Sequence, residues 1–306
     1  SRPHRQSRIM AHILGIGVAT LDIINIVDHY PAEDEEMRAL EQRVCPGGNT
    51  ANTLHVLRQL GHCCDLAATL ADEPDGDRLQ SLLADRGIGV DTCCRRAGRT
   101  PTSYITLNAA TGSRTIIHHR DLPELDATHV TGLPLERYDW VHLQARDPHT
   151  TSRMLQGLRQ RAGQQPVSME VEKDREGVDM LFGQPEVIFF SRPFVLGRGF
   201  DDPEPFLRGM HKRVPGAVLV CTWGEAGAWV WASRDGLYHA PACTPPRVVD
   251  TLAAGDTFNA GFIHALVGGG TVPDALAAAS LLAGHKVGRQ GLDGLDASIL
   301  EPDAGD

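Results

Sequence analysis

Residues 250–262 read DTLAAGDTFNAGF, and the rest of the chain is understood from this stretch. Ala253, Ala254 and Gly255 stand directly before Asp256 and an apolar-periodic run follows, so the spacing predicts a tight turn that opens into a helix. The first N–H groups of a helix have no partner within it and lie at its positive dipole end. Small residues there let backbone amides converge on an anion. A carboxylate at the same place has two readings. Asp256 could complement the dipole, worth roughly 0.3–1 kcal/mol, or accept a proton from a hydroxyl that attacks a phosphate held by those amides.

Outward from the signature, the predicted helices over residues 255–267 and 272–287 are rich in Ala and apolar on wide faces, which places them inside the fold. Upstream, AVLVCTW (217–223) is apolar enough for a central strand. Gly224, Glu225, Ala226 and Gly227 then turn the chain into AWVWAS, and residues 234–236 turn it again. These two glycine turns suit a plain hairpin, or a place where backbone meets a planar base or ribose. Further strands are expected over residues 12–18, 140–143, 167–171 and 187–191, with helices between them, and residues 64–95 read strand, helix, strand as CDLAATL, GDRLQSLLADRG and VDTCC. Strands alternating with helices of this length predict an α/β fold with a parallel sheet covered on both faces. Gly15 and Gly17 do not make a dinucleotide fingerprint, because the third glycine would fall at Thr20 and Asp22 follows where a helix should open.

Two segments interrupt that alternation. Residues 21–44 read as two antiparallel strands bridged by an acidic turn over residues 33–36, and residues 102–119 as a hairpin turning at 110–112. Together they suggest a small lid sheet, with residues 10–20, 45–98 and 121–306 as the core, 21–44 and 99–120 as the lid, and 1–9 as a disordered leader. A lid matters in phosphoryl transfer because water in an open site would hydrolyse the donor. If one face of that sheet is uncovered, Ile24, Ile26, Ile105 and Leu107 would be left partly exposed and invite a homodimer. Pro46-Gly47-Gly48-Asn49 leads into a helix over residues 50–60, where Asn49 and Asn52, one turn apart, share a face. Asn49 could instead cap that helix.

At 306 residues the chain can bury a sizeable core without a second independent domain. A formal net charge of -10 argues against a nucleic-acid grip, and no apolar run approaches membrane-spanning length. Seven cysteines, two adjacent pairs among them, lack metal or redox spacing and fit reduced thiols in a cytoplasmic protein. No phosphate-binding P-loop or protein-kinase motif set occurs.

The signature resembles the DTxGAGD motif of the ribokinase-like, or PfkB, carbohydrate kinases, with Ala253 where the family most often has Gly; an Ala there argues against a need for positive φ. GGNTAN, TGSRTI, MEVEKDRE, VLVCTWGEAGA and GRQGLDG follow the family's order and are most similar to its ketohexokinase branch. The resemblance implies a three-layer, doubly wound, mostly parallel sheet with a small β-sheet lid. It also implies an ATP-dependent kinase acting on a primary hydroxyl of a small sugar, fructose first. Ribose, a 2-keto-3-deoxy sugar acid and a nucleoside stay open as substrates, and a catalytically silent nucleotide-binding regulator is the reading of another class. By the same resemblance, Asp22, Asp34, Gly48, Asn49 and Asn52 hold sugar hydroxyls and Asp256 is the base. Arg114 and the Gly224, Glu225, Ala226, Gly227 loop contact ATP, and Ala253, Ala254 and Gly255 form the anion hole. Mg²⁺ would ride on ATP without a dedicated protein ligand set, and the resemblance leaves room for a monovalent cation such as K⁺ near the anion hole. Gln144 stands where the branch tends to have Glu, which removes a charge near the phosphates.

Overall fold

The apolar runs form the middle of an eight-stranded sheet in the computed structural model, which describes residues 10–161, 165–234 and 236–301; the expected leader at 1–9 lies outside the described residues. β1 (His12–Ile16) is followed by the hairpin β2 (Thr20–Val27) and β3 (Glu41–Gly47), then α1 (Asn49–Gln59), β4 (Cys63–Ala67), β5 (Thr69–Ala71), α2 (Pro74–Asp85) and β6 (Cys94–Arg96). The second hairpin is β7 (Arg99–Asn108) and β8 (Arg114–Asp121). α3 (Ala127–Thr131), β9 (Trp140–Gln144), α4 (Pro148–Arg161), β10 (Val167–Val171), β11 (Val187–Phe190), α5 (Arg192–Gly197) and α6 (Pro203–Arg213) lead to β12 (Val218–Thr222), β13 (Ala228–Ala232) and β14 (Gly236–Ala240). α7 (Ala254–Val267) and α8 (Val272–Val287) complete the large elements.

The large sheet has the order β14-β13-β12-β11-β10-β9-β1-β4; it is parallel from β12 to β4 and antiparallel only at the β14-β13-β12 edge. Because successive side chains of a strand point to opposite faces, each continuous apolar run feeds two cores. Leu14, Val141, Leu143, Ile188, Phe190 and Leu219 pack on the side of α4 and α6, with Phe190, Phe194 and Phe206 in mutual ring contact. Ile13, Trp140, Val187, Phe189 and Val220 face the other way, against α1, α7 and α8. This is the expected three-layer architecture.

The four interrupting strands form a separate sheet of order β3-β2-β7-β8, with β2 parallel to β7 and each hairpin antiparallel. The face expected to be open is the covered one: Ile24, Ile26, Ile105 and Leu107 are 2–4% exposed and pack against Leu252 of the signature turn. The uncovered apolar row lies on the opposite face, where Val44, Ile23, Tyr104 and Ile117 are in register across all four strands. Alternation alone names two faces but does not say which one meets the core. VDTCC is likewise not a strand over its length; pairing starts only at Cys94, where β6 joins β5 in a two-stranded sheet. All seven cysteines are free thiols.

Candidate active site

The signature turn is built around Asp250, a carboxylate 1% exposed. Its Oδ1 accepts the Leu252 N–H at 2.9 Å and its Oδ2 accepts the Gly291 N–H at 2.9 Å, so one side chain shapes the bend and ties it to the loop that follows α8. The chain then enters α7 through Ala253 at φ 61, ψ 20, the left-handed region. This overturns the expectation drawn from the Cβ of Ala253: the conformation is left-handed and the Cβ is carried in it. Such a residue costs roughly 1–2 kcal/mol, which the Asp250 bonds and α7 packing offset. Ala253→Gly would relieve that strain while adding freedom to the unfolded chain, so thermal unfolding is expected to show a net change within about 1 kcal/mol. Ala253→Val, β-branched at positive φ, is expected to cost more than about 2 kcal/mol.

At the start of α7 the Ala254 N–H makes a long 3.4 Å bond to the Thr251 carbonyl, and Thr257 is the first to donate back into the turn, to Ala253. The intervening Gly255 and Asp256 N–H groups take no backbone partner among the described residues, and a Cβ placed on Gly255 would meet open space. Unpaired amides, the positive helix end and an unobstructed approach make an anion cradle.

Asp256 projects from the first turn of α7 into an almost closed space, 6% exposed. Its Oδ2 accepts a 3.0 Å hydrogen bond from Asn52 Nδ2, and its main-chain oxygen accepts from Thr53 Oγ1, so α1 orients it. Burial, opposed by the Asn52 bond and reinforced by the Glu172 charge, lifts its pKa to about 7. Asp22, at the start of β2, is pushed up to about 6, again by burial, against hydrogen bonds from Thr20 and Ser103. Two carboxyls brought near neutrality in one enclosed place suit proton transfer.

Gly48 rather than Asn49 ends the approach to α1, with φ 98 and no side-chain cap. Asn49 therefore does not cap the helix. Its Nδ2 donates to Glu170 Oε1 at 3.0 Å and Glu172 Oε2 at 3.1 Å, which fixes the orientation of the amide. Gly47 leaves room for Asp22, whose Oδ2 would lie 2.0 Å from a Cβ at residue 47. The tip of the β7–β8 hairpin rests on the signature turn: Thr251 N and Oγ1 both donate to the Gly112 carbonyl, and Arg114 Nη1 donates to Thr251 Oγ1 at 3.3 Å. Arg114 thereby faces the cradle, and its charge acts on Asp256.

Asp22, Gly48, Asn49, Asn52, Arg114, Ala253, Ala254, Gly255 and Asp256 are thus grouped. Asp34 is not brought to them in this chain; it lies exposed on the β2–β3 connection at φ 64, with no hydrogen bond or ion pair to the group. The Gly224, Glu225, Ala226, Gly227 loop forms a short 3₁₀ turn after β12 and has no hydrogen bond to α7 among the described residues. Gln144 acts locally, where its Oε1 accepts from Val18 N–H and Thr50 Oγ1, both at 3.1 Å, and it borders a cavity of about 250 Å³ also lined by Gly17 and Arg146. Glu170 and Glu172 were missed as site residues. Two acids at alternate positions at the end of a buried strand were the available signal. Glu170 Oε2 is buried without a partner, and burial, then the Asp256 and Glu172 charges, raise that carboxyl's pKa well above the usual range. Among the described residues no group of three or more His, Cys, Asp or Glu is arranged to hold a metal ion.

A sheet wound this way, with an anion cradle and a buried carboxylate at one helix start, defines a phosphotransferase scaffold, and the chain belongs to the pfkB family carbohydrate kinases, whose profile matches residues 10–297. It is 40% identical over 292 residues to the ketohexokinase of Mus musculus, covering 92% of this chain and 98% of that one. Among solved structures it is similar to the ribokinase of Giardia lamblia (TM-score 0.79, 18% identity, covering 94% of this chain and 97% of that one). It is also similar to the ribokinase of Arabidopsis thaliana complexed with ribose and ATP (TM-score 0.74, 21% identity, covering 92% and 94%). No helix among the described residues is long and apolar enough to cross a membrane.

Proposed function

We propose that the protein is an ATP-dependent ketose kinase that transfers the γ-phosphoryl group of ATP to a primary hydroxyl of fructose. The observation that carries this reading is the Asp256 carboxyl at the mouth of the Gly255 cradle, held by Asn52 and lifted to about 7 by burial. The 40% identity to a ketohexokinase over nearly the whole chain supports the choice of sugar. Asp22, Asn49 and Asn52 offer the acceptors and donors that fixed sugar hydroxyls require, and a site so built rejects analogues that leave buried groups unpaired. Asp256 takes the proton of the attacking hydroxyl while the unpaired Gly255 and Asp256 amides and Arg114 hold the transferring phosphoryl group. Glu170, with its unpartnered Oε2, is the side chain that would face a Mg²⁺ ion carried on the nucleotide, giving up the proton that burial makes it keep, and the ion would supply charge neutralisation there. The small sheet acts as the lid, with its tip already bonded to the signature turn. A cytoplasmic location is the reading that the free thiols support, since a reducing compartment keeps cysteines unpaired.

The test is ADP release with Mg²⁺·ATP across fructose, ribose, a 2-keto-3-deoxy sugar acid and adenosine. Turnover on fructose above the others is expected; preference for another acceptor would keep the chemistry and overturn the sugar. Binding of ATP with no turnover on any of them would favour a silent regulator.

The uncovered row of the lid supports a homodimer. Tyr104 is 50% and Ile117 70% exposed, in a row that crosses four strands, and a second copy would bury it. Light scattering at micromolar concentration is expected to give the mass of two chains for the native protein and one for Ile117→Lys. A native monomer would overturn the pairing.

A further inference from the structure

Lys286, near the end of α8, has no exposed surface, yet the phosphoryl-transfer scheme does not use it. Its Nζ lies 3.0 Å from the main-chain oxygen of Asp250, 3.1 Å from Asp250 Oδ2 and 3.4 Å from the carbonyl of Arg289. A carboxylate and two carbonyls around one cation are the donor set of a bound monovalent ion, here filled by a side chain. These oxygens also hold the turn that starts at Asp250 and ends in the Ala253–Gly255 cradle, because the same carboxylate accepts from Leu252 and Gly291. A separate monovalent cation does not fit in this place, since the ammonium occupies the oxygens it would need.

Resting on the reading of Gly255 as a phosphate cradle, we propose that Lys286 is a positioning residue: a tethered monovalent cation that neutralises Asp250 behind the cradle and sets the backbone turn presenting the cradle amides to the nucleotide. An uncompensated buried carboxylate in that position would repel the phosphates the amides bind, and relaxation of the turn would misaim them. A misplacement of about 1 Å far from the chemistry can cost on the order of 100-fold in rate.

Lys286→Ala is therefore expected to keep its fold, judged by circular dichroism and thermal unfolding, while kcat falls about 100-fold. Ammonium or methylammonium, small enough for the vacated volume, should restore at least about tenfold of that loss at constant ionic strength, with an effect larger than on the native enzyme. Near-native kcat in the variant, or a folded, slow variant indifferent to every added cation, would overturn the proposal. Should Lys286→Ala not fold, Lys286→Gln keeps N–H donors toward the Asp250 oxygens and leaves both turn bonds of that carboxylate in place while removing the charge. A folded Gln variant slowed at least about tenfold would support the role, and native turnover in it would overturn the proposal. The kinase reading fails separately, through absent turnover in the native protein or full turnover in Asp256→Asn.

Discussion

Asp256→Asn is expected to keep its fold and lose about 10²–10⁴-fold in kcat with Mg²⁺·ATP and fructose, the range that a positioned general base contributes. Asparagine keeps the shape of the side chain and can still pair with Asn52 after an amide reorientation, but it cannot take the hydroxyl proton. Near-native turnover would remove Asp256 from the chemistry. A pH profile adds a second reading of the same group. With its pKa raised by burial to about 7, the carboxyl is protonated and inactive below that value, so kcat/KM of the native enzyme should rise with pH through about 7 and level off above it. Stability runs the other way. The native carboxyl keeps its proton where the unfolded one has lost it, so the folded state binds more protons between about pH 4 and pH 7 and stability declines as pH rises through that window. The Asn variant escapes this decline, and at pH 8 it should unfold at a higher temperature than the native protein.

Gly48→Ala is expected to lose both stability and activity. The residue sits at φ 98, and a Cβ there would lie 2.0 Å from the main-chain oxygen of Val18. Neither atom is the far end of a flexible side chain, so β3 and α1 would have to move away from the β1–β2 connection. The strain of the dihedral and the displaced packing together are put at roughly 3 kcal/mol or more, seen as a fall in Tm of roughly 5 °C or more for a chain of this size. Asn49 and Asn52 travel with α1, so kcat should fall even at temperatures where the variant is folded. A variant that melts and turns over like the native protein would show that the β3–α1 junction can yield. Gly61, also at positive φ but with nothing near an added Cβ, is the control for conformational strain without a clash.

Most of the large sheet could be read from the chain because its central strands, such as VIFF and VLVCT, are apolar runs buried on both faces, which leaves no register to mistake, whereas the edge strand GLYHA is only half-buried. The lid was harder: its strands alternate, and whether Ile24 or Ile23 meets the core depends on where the sheet docks, which strand composition does not contain. The site divides in the same way. Asp256, Asn49 and Asn52 stood out beside glycines and small residues, which mark backbone shape. Glu170, Glu172 and Lys286 come from an ordinary strand end and helix end, and only packing shows that they converge on the signature. The conformation of Ala253 was misjudged because local steric preference was allowed to decide. The Asp250 hydrogen bonds over-determine the turn and override it.

The bond between Asn52 and Asp256 joins residues 204 positions apart. During synthesis the GGN helix leaves the ribosome long before the helix that completes the site, so for most of elongation the half-site has no partner. Closing so long a loop is slow, and contacts of this span form late in folding. A nascent chain or a C-terminally truncated product can thus collapse around β1, β4 and α1 and still have no catalytic carboxylate. Acquisition of activity in refolding should therefore report the last docking event, that of α7 and α8 onto α1, and lag behind the recovery of secondary structure.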